Sequence, residues 1–156
     1  WPVWQVPFTA GELKAVAYKD GKVWAEASVK TTGAPVKLKL TPDKKILKSD
    51  GEDLNFVRVP VLDADGNEVP TAEPLIKATL DGPGKIVATD NGDPTCLIPF
   101  PETTRPAFSG LYLAIVKADR GAKGKLHFSV ESDGLGTAEM VFQIEKGKIR
   151  QYQYIP

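Results

Sequence analysis

The 156-residue sequence holds one cysteine, Cys96, and one histidine, His127. A single cysteine closes no internal disulfide, so the fold must be held by its core, and the redox compartment stays undetermined. One histidine and one cysteine also leave a zinc cluster or a Ser-His-Asp triad short of partners, and no cofactor is implied. An excess of charge is missing too, because 20 Lys and Arg balance 20 Asp and Glu. A neutral chain has no general attraction for nucleic acid or for an anionic lipid surface. No apolar run is long enough to span a bilayer, which excludes membrane insertion by a helix. Helical periodicity is scarce: no window of ten or more residues repeats apolar groups at i, i+3, i+4 and i+7 between capping signals.

Short alternating runs punctuated by turns fill the space instead. Fourteen glycines and thirteen prolines are spread evenly, the pattern of a β-sandwich. The length suits one core, or one small domain plus a piece of another. The chain starts at Trp1 and its only methionine is Met140, which fits a processed chain or an excised segment with any targeting peptide upstream. Residues 6–29 read as a β-hairpin turning at Asp20-Gly21. Leu13, Ala15 and Ala17 alternate with Lys14, Val16 and Tyr18, so apolar groups are expected on both faces. Two strands do not fold alone, and this hairpin needs a partner sheet.

Thr31-Thr32-Gly33-Ala34-Pro35 reads as a linker. Beyond it, strands are expected at 36–40, 54–62, 75–80, 85–89, 110–118, 125–132 and 139–145, about seven in all. Pro60 implies an edge position or a bulge for its strand. Asp81-Gly82-Pro83-Gly84 should join two strands that pair or switch sheets. Leu111, Leu113 and Ile115 are the expected contribution of the fifth run to the core. Residues 90–109, rich in proline and polar groups, form a structured surface loop, ordered by Asp90, Asn91, Gly92 and Asp93 through side-chain hydrogen bonds to backbone. Residues 146–156, with Tyr152 and Tyr154, are either an added edge strand or a disordered tail.

The phrase GELKAVAYKDGK (11–22) resembles one near the end of the small β-sandwich that follows the catalytic barrel in glycoside hydrolase family 2 enzymes of the β-galactosidase-like group. The phrases at 31–70, 81–95 and 105–118 resemble the immunoglobulin-like C-terminal domain of the same enzymes. The resemblance runs to about residue 138 with the four phrases in order. It implies an all-β chain: residues 1–33 closing a preceding small sandwich, an immunoglobulin-like β-sandwich at 34–145, and a tail at 146–156. The function implied is that of a non-catalytic accessory domain, partnered by the catalytic barrel and neighbouring sandwich domains, with a periplasmic or extracellular location. The family's catalytic glutamates belong to the upstream barrel, and no segment here matches their motifs.

Chemistry in the residues themselves is sparse. His127 alternates with Leu126 and Phe128 and so faces solvent. Asp63, Asp65 and Asp81 sit in turns, where they cap backbone amides and water screens them. Asp63-Ala64-Asp65-Gly66-Asn67 does not meet the EF-hand spacing, and Asp90-Asn91-Gly92-Asp93-Pro94 is a second acidic turn; a calcium ion bridging oxygens of these loops is the minor alternative to turns ordered by backbone hydrogen bonds. Trp1, Trp4, Tyr18 and Trp24 offer the best binding surface, either as an interface with a neighbouring domain or as a platform for a sugar ring. The alternatives to an accessory domain are therefore a carbohydrate-binding module and an immunoglobulin-like segment of a bacterial surface adhesin.

Overall fold

The computed structural model describes residues 3–148. Trp1 and the expectations for Tyr152, Tyr154 and most of the tail lie outside the described residues. Among those described, the chain is all β, and no helix is long and apolar enough to cross a membrane.

Strands β1 (Glu12–Lys19) and β2 (Lys22–Lys30) form the expected hairpin. Asp20 and Gly21 both take positive φ, 51° and 74°, the geometry that lets a two-residue turn match strand twist. The register pairs Leu13 with Val29, Ala15 with Ala27 and Ala17 with Ala25, so one face is wholly apolar. The opposite face pairs Glu12 with Lys30, Lys14 with Ser28 and Val16 with Glu26, and there Lys14 Nζ meets Glu26 Oε2 at 2.7 Å. Apolar groups thus segregate more sharply than simple alternation suggested. A bulge opposite Ala17 inserts Trp24 into β2. Every residue of both strands is exposed.

The sandwich is built from β3 (Lys37–Leu38), β4 (Thr41–Pro42), β5 (Ile46–Lys48), β6 (Asn55–Leu62), β7 (Leu75–Asp81), β8 (Gly84–Asp90), β9 (Thr104–Pro106), β10 (Leu111–Ala118), β11 (Gly124–Ser132) and β12 (Gly136–Glu145). One sheet runs β3-β6-β10-β8, with β4 also on β6; the other runs β5-β12-β11-β7-β9. All pairings are antiparallel except β5 with β12. The excess over seven strands has local causes. The first run breaks into β3 and β4, β5 forms just after them, and the long loop lays down β9 along β7. This is an immunoglobulin-like β-sandwich.

Pro60 lies in β6, an interior strand rather than an edge. Its carbonyl accepts from Lys39 N at 3.1 Å, so its missing N–H faces the side where β3 gives way to β4. The break in the neighbouring strand accommodates the residue that has nothing to donate. Gly84 permits the switch from β7 in one sheet to β8 in the other. A Cβ there would sit 2.6 Å from the Lys117 carbonyl oxygen and 2.9 Å from the Leu126 methyls.

Val57, Val59 and Val61 of β6 meet Leu126, Phe128 and Val130 of β11 in the core, with Phe142 and Ile144 of β12 and Ile76 of β7. Phe128 and Phe142 are tilted at 51° with centroids 6.4 Å apart, a favoured aromatic arrangement. The expectation for β10 is corrected. Its buried face is Tyr112, Ala114, Val116 and Ala118, and Leu111, Leu113 and Ile115 point outward, half-buried.

Candidate functional site

The loop between β8 and β9 starts as a series of side-chain caps. Asp90 Oδ1 accepts from the backbone N–H groups of Asn91 and Gly92 at 2.7 and 3.2 Å. Asn91 Oδ1 accepts from Asp93 N at 3.1 Å, while its Nδ2 donates to the Pro106 carbonyl at 3.0 Å. Asp93 Oδ1 then accepts from both the N–H and the hydroxyl of Thr95. These hydrogen bonds all lie within the protein. Among the described residues no group of three or more His, Cys, Asp or Glu is arranged to hold a metal ion.

The residue that fastens the loop is Arg105, which the sequence reading passed over. It is 1% exposed and the largest fully buried side chain described. Its Nε donates to Thr89 Oγ1 at 3.1 Å, joining β9 of one sheet to β8 of the other. One terminal nitrogen donates to Cys96 Sγ at 3.1 Å, and the other to the carbonyls of Ile98 and Pro99, both at 3.0 Å. The Phe100 ring lies 6.0 Å from the guanidinium carbon. A forked donor suits carbonyls that converge from a proline-rich turn, because Pro94, Pro99 and Pro101 remove the N–H groups that would otherwise serve them. That shortage of donors is the one signal in the sequence that points to a buried arginine. Beside it the Tyr112 hydroxyl donates to the Thr103 carbonyl at 3.0 Å, and burial pushes its pKa up to about 12.

Asp63 fastens the linker. Its Oδ2 accepts from Gly33 N at 3.0 Å and Asn67 Nδ2 at 3.1 Å, and Oδ1 accepts from Asn67 N at 2.8 Å. The Gly33 amide is the main reason its pKa falls to about 2. It caps backbone amides as expected, but it is 2% exposed, so water does not screen it. Asp50, held by the amides of Glu52 and Asp53, is also pulled below the usual carboxylate range. A general acid at neutral pH needs the opposite displacement.

His127 faces outward as expected, paired across the strands with Asp81 and Val141. Asp81, Ser129 and Glu139 share its shallow concavity. Ser129 stands two residues along the same strand, about 7 Å away, too far for an activating hydrogen bond to the imidazole.

Of the expected aromatic surface, Trp4, Tyr18 and Trp24 are exposed at 72%, 66% and 72%. The Lys19 ammonium lies 6.0 Å from the Trp24 ring centroid. None of the three lines the concavity between hairpin and sandwich, about 650 Å³, whose walls include Val6, Phe8, Leu13, Val29 and Pro70.

The sandwich matches the family model of the glycoside hydrolase family 2 C-terminal domain 5 over residues 38–141. The chain belongs to that family. A second model, a domain of unknown function (DUF4982), matches residues 2–25. The chain is 41% identical over 143 residues to the beta-galactosidase BoGH2A of Bacteroides ovatus, covering 92% of this chain and 17% of that protein. It is 33% identical over 82 residues to a beta-glucuronidase of Formosa agariphila, covering 50% of this chain and 8% of that one. A solved family-2 glycosyl hydrolase from Bacteroides cellulosilyticus superposes with a TM-score of 0.87 at 26% identity, over 92% of this chain and 18% of that one. This family-2 domain therefore spans less than a fifth of the length of each of these three relatives. The family match favours the glycosidase accessory reading over a surface adhesin.

Proposed function

We propose that the chain is a non-catalytic, domain-packing module of a family-2 glycoside hydrolase whose remaining domains act on β-galactosides. The carrying observation is the hairpin, which has no core of its own yet sets Leu13, Ala15, Ala17, Ala25, Ala27 and Val29 on one exposed face. Such a face is stable only when covered. Residues 1–33 then complete a neighbouring sandwich, and residues 34–145 form the module itself. Asp63 grips Gly33 at the seam, so the hairpin is held close to the sandwich rather than on a free tether. The similarity to a beta-galactosidase over most of this chain supports the choice of parent.

The purified 156-residue chain is expected to leave chromogenic β-galactosides untouched. Turnover that disappears when its own carboxylates are replaced would overturn the reading. Calorimetric binding of an oligosaccharide, abolished by Trp24→Ala or Trp4→Ala, would instead make it a carbohydrate-binding module. The exposure of those two rings is what keeps that second reading in the test.

A further inference from the structure

The two outward faces of the sandwich differ in kind. On the β7-β11-β12 side the outward row is Lys77, Thr79, Asp81, His127, Ser129 and Glu139, a mainly polar surface in which Leu75 and Val141 are the exposed apolar side chains. On the β6-β10-β8 side Leu111, Leu113 and Ile115 run along the middle strand, with Leu113 flanked by Arg58 and Asp90. The register places Phe56 on one flank of Ile115 and Ala88 on the other, with Val87 added by the bulge beside them. Phe56 and Val87 are 39% and 37% exposed. An antiparallel sheet with one solvated face alternates apolar and polar residues, whereas a strand covered on both faces reads as a continuous apolar run. Residues 111–116, LYLAIV, are such a run.

The stripe ends at Lys117, which lies directly opposite Lys85. Like charges placed opposite each other destabilise a sheet pair, and neither lysine forms an ion pair with a described residue. An apolar centre closed at one end by two unneutralised cations fits a partner of complementary form, apolar in the middle and acidic at the matching edge. In the relatives a chain like this one makes up only 17–18% of the length, so further stretches of the same polypeptide are at hand to cover the face. Covalent linkage keeps them at high effective concentration.

We propose that the outward face of β6, β10 and β8 is a docking surface for another domain of the same glycosidase polypeptide, one that lays apolar side chains over Ile115 and a carboxylate beside Lys85 and Lys117. This rests on the accessory-domain reading, and it adds a second covered surface distinct from the hairpin.

Maleimide labelling of single cysteines in a Cys96→Ser background tests it, comparing the 156-residue chain with the full-length polypeptide. Ile115→Cys should label about tenfold more slowly in the full-length form, and His127→Cys on the solvated face equally fast in both. Ala88→Cys serves as the probe if Ile115→Cys does not fold. Adding Lys117→Glu should restore fast labelling of Ile115→Cys. Equal rates in the two forms, or protection that ignores Lys117→Glu, would overturn the proposal. So would slow labelling in the short chain that deepens with concentration alongside a dimer in sedimentation, which would make the occupant a second copy. Protection of Ala27→Cys on the hairpin without protection of Ile115→Cys overturns this inference and leaves the accessory reading standing, whereas protection of neither removes both.

Discussion

Arg105 brings a full positive charge into the protein with no carboxylate to meet it; a hydroxyl, a thiol, two carbonyls and a ring face take its place. Desolvating such a charge is costly, so the arrangement persists only because every partner is set for it. Replacing it with methionine keeps the volume but strands two carbonyls and Thr89. A loss of about 3 kcal/mol is expected, read from the urea midpoint at unchanged m. Arg105→Lys should not rescue it, because an ammonium cannot reproduce the planar fork. Asp63 works by charge in the other direction. Its folded pKa near 2 lies below the ordinary 3.8, so its stabilisation is complete above about pH 4 and is lost as pH falls through 2. In a thermal melting series from pH 6 to pH 2, Asp63→Asn should lower the midpoint at neutral pH and lose less of it on acidification than the parent chain. The two residues were unequally legible. The turn and its Asp-Asn chemistry around Asp63 are local and readable; Arg105 depends on strands 16 residues apart in sequence meeting across two sheets, and arginine is so seldom buried that its type argues against the observed site.

At the level of elements, alternation read correctly wherever one face of a strand is polar. In β6 Val57, Val59 and Val61 are buried, and in β11 Leu126, Phe128 and Val130 are, just as their spacing indicates. It failed in β10, where apolar residues occupy both parities: Leu111, Leu113 and Ile115 are the natural but wrong choice, and the core takes Tyr112, Ala114, Val116 and Ala118. Pro60 marked a real interruption, though the interruption lies in the neighbouring strand. The joint between β7 and β8 is the element most sensitive to a small change. Gly84→Ala drives a methyl into the Lys117 carbonyl and the Leu126 side chain, and should cost about 1–3 kcal/mol by overpacking, measured by denaturant titration.

Taken whole, the molecule is a sandwich with one mainly polar outer face, one outer face crossed by an apolar stripe, and an appended hairpin whose apolar face is uncovered among the described residues. Its fold class and family were legible because turn spacing and four ordered phrases run the length of the chain. Its pattern of outer surfaces was not, because that pattern depends on what each sheet faces rather than on any local run. The order of the second sheet carries a further consequence. Strand β12 lies between β5 and β11, and it pairs Gln143 with Ile46, nearly a hundred residues earlier. During synthesis at about 10 residues per second, β5 waits on the order of ten seconds for the strand that will hold it. The second sheet cannot close until β12 has left the ribosome, so the edges of β5 and β11 that β12 covers must be kept from other chains until then.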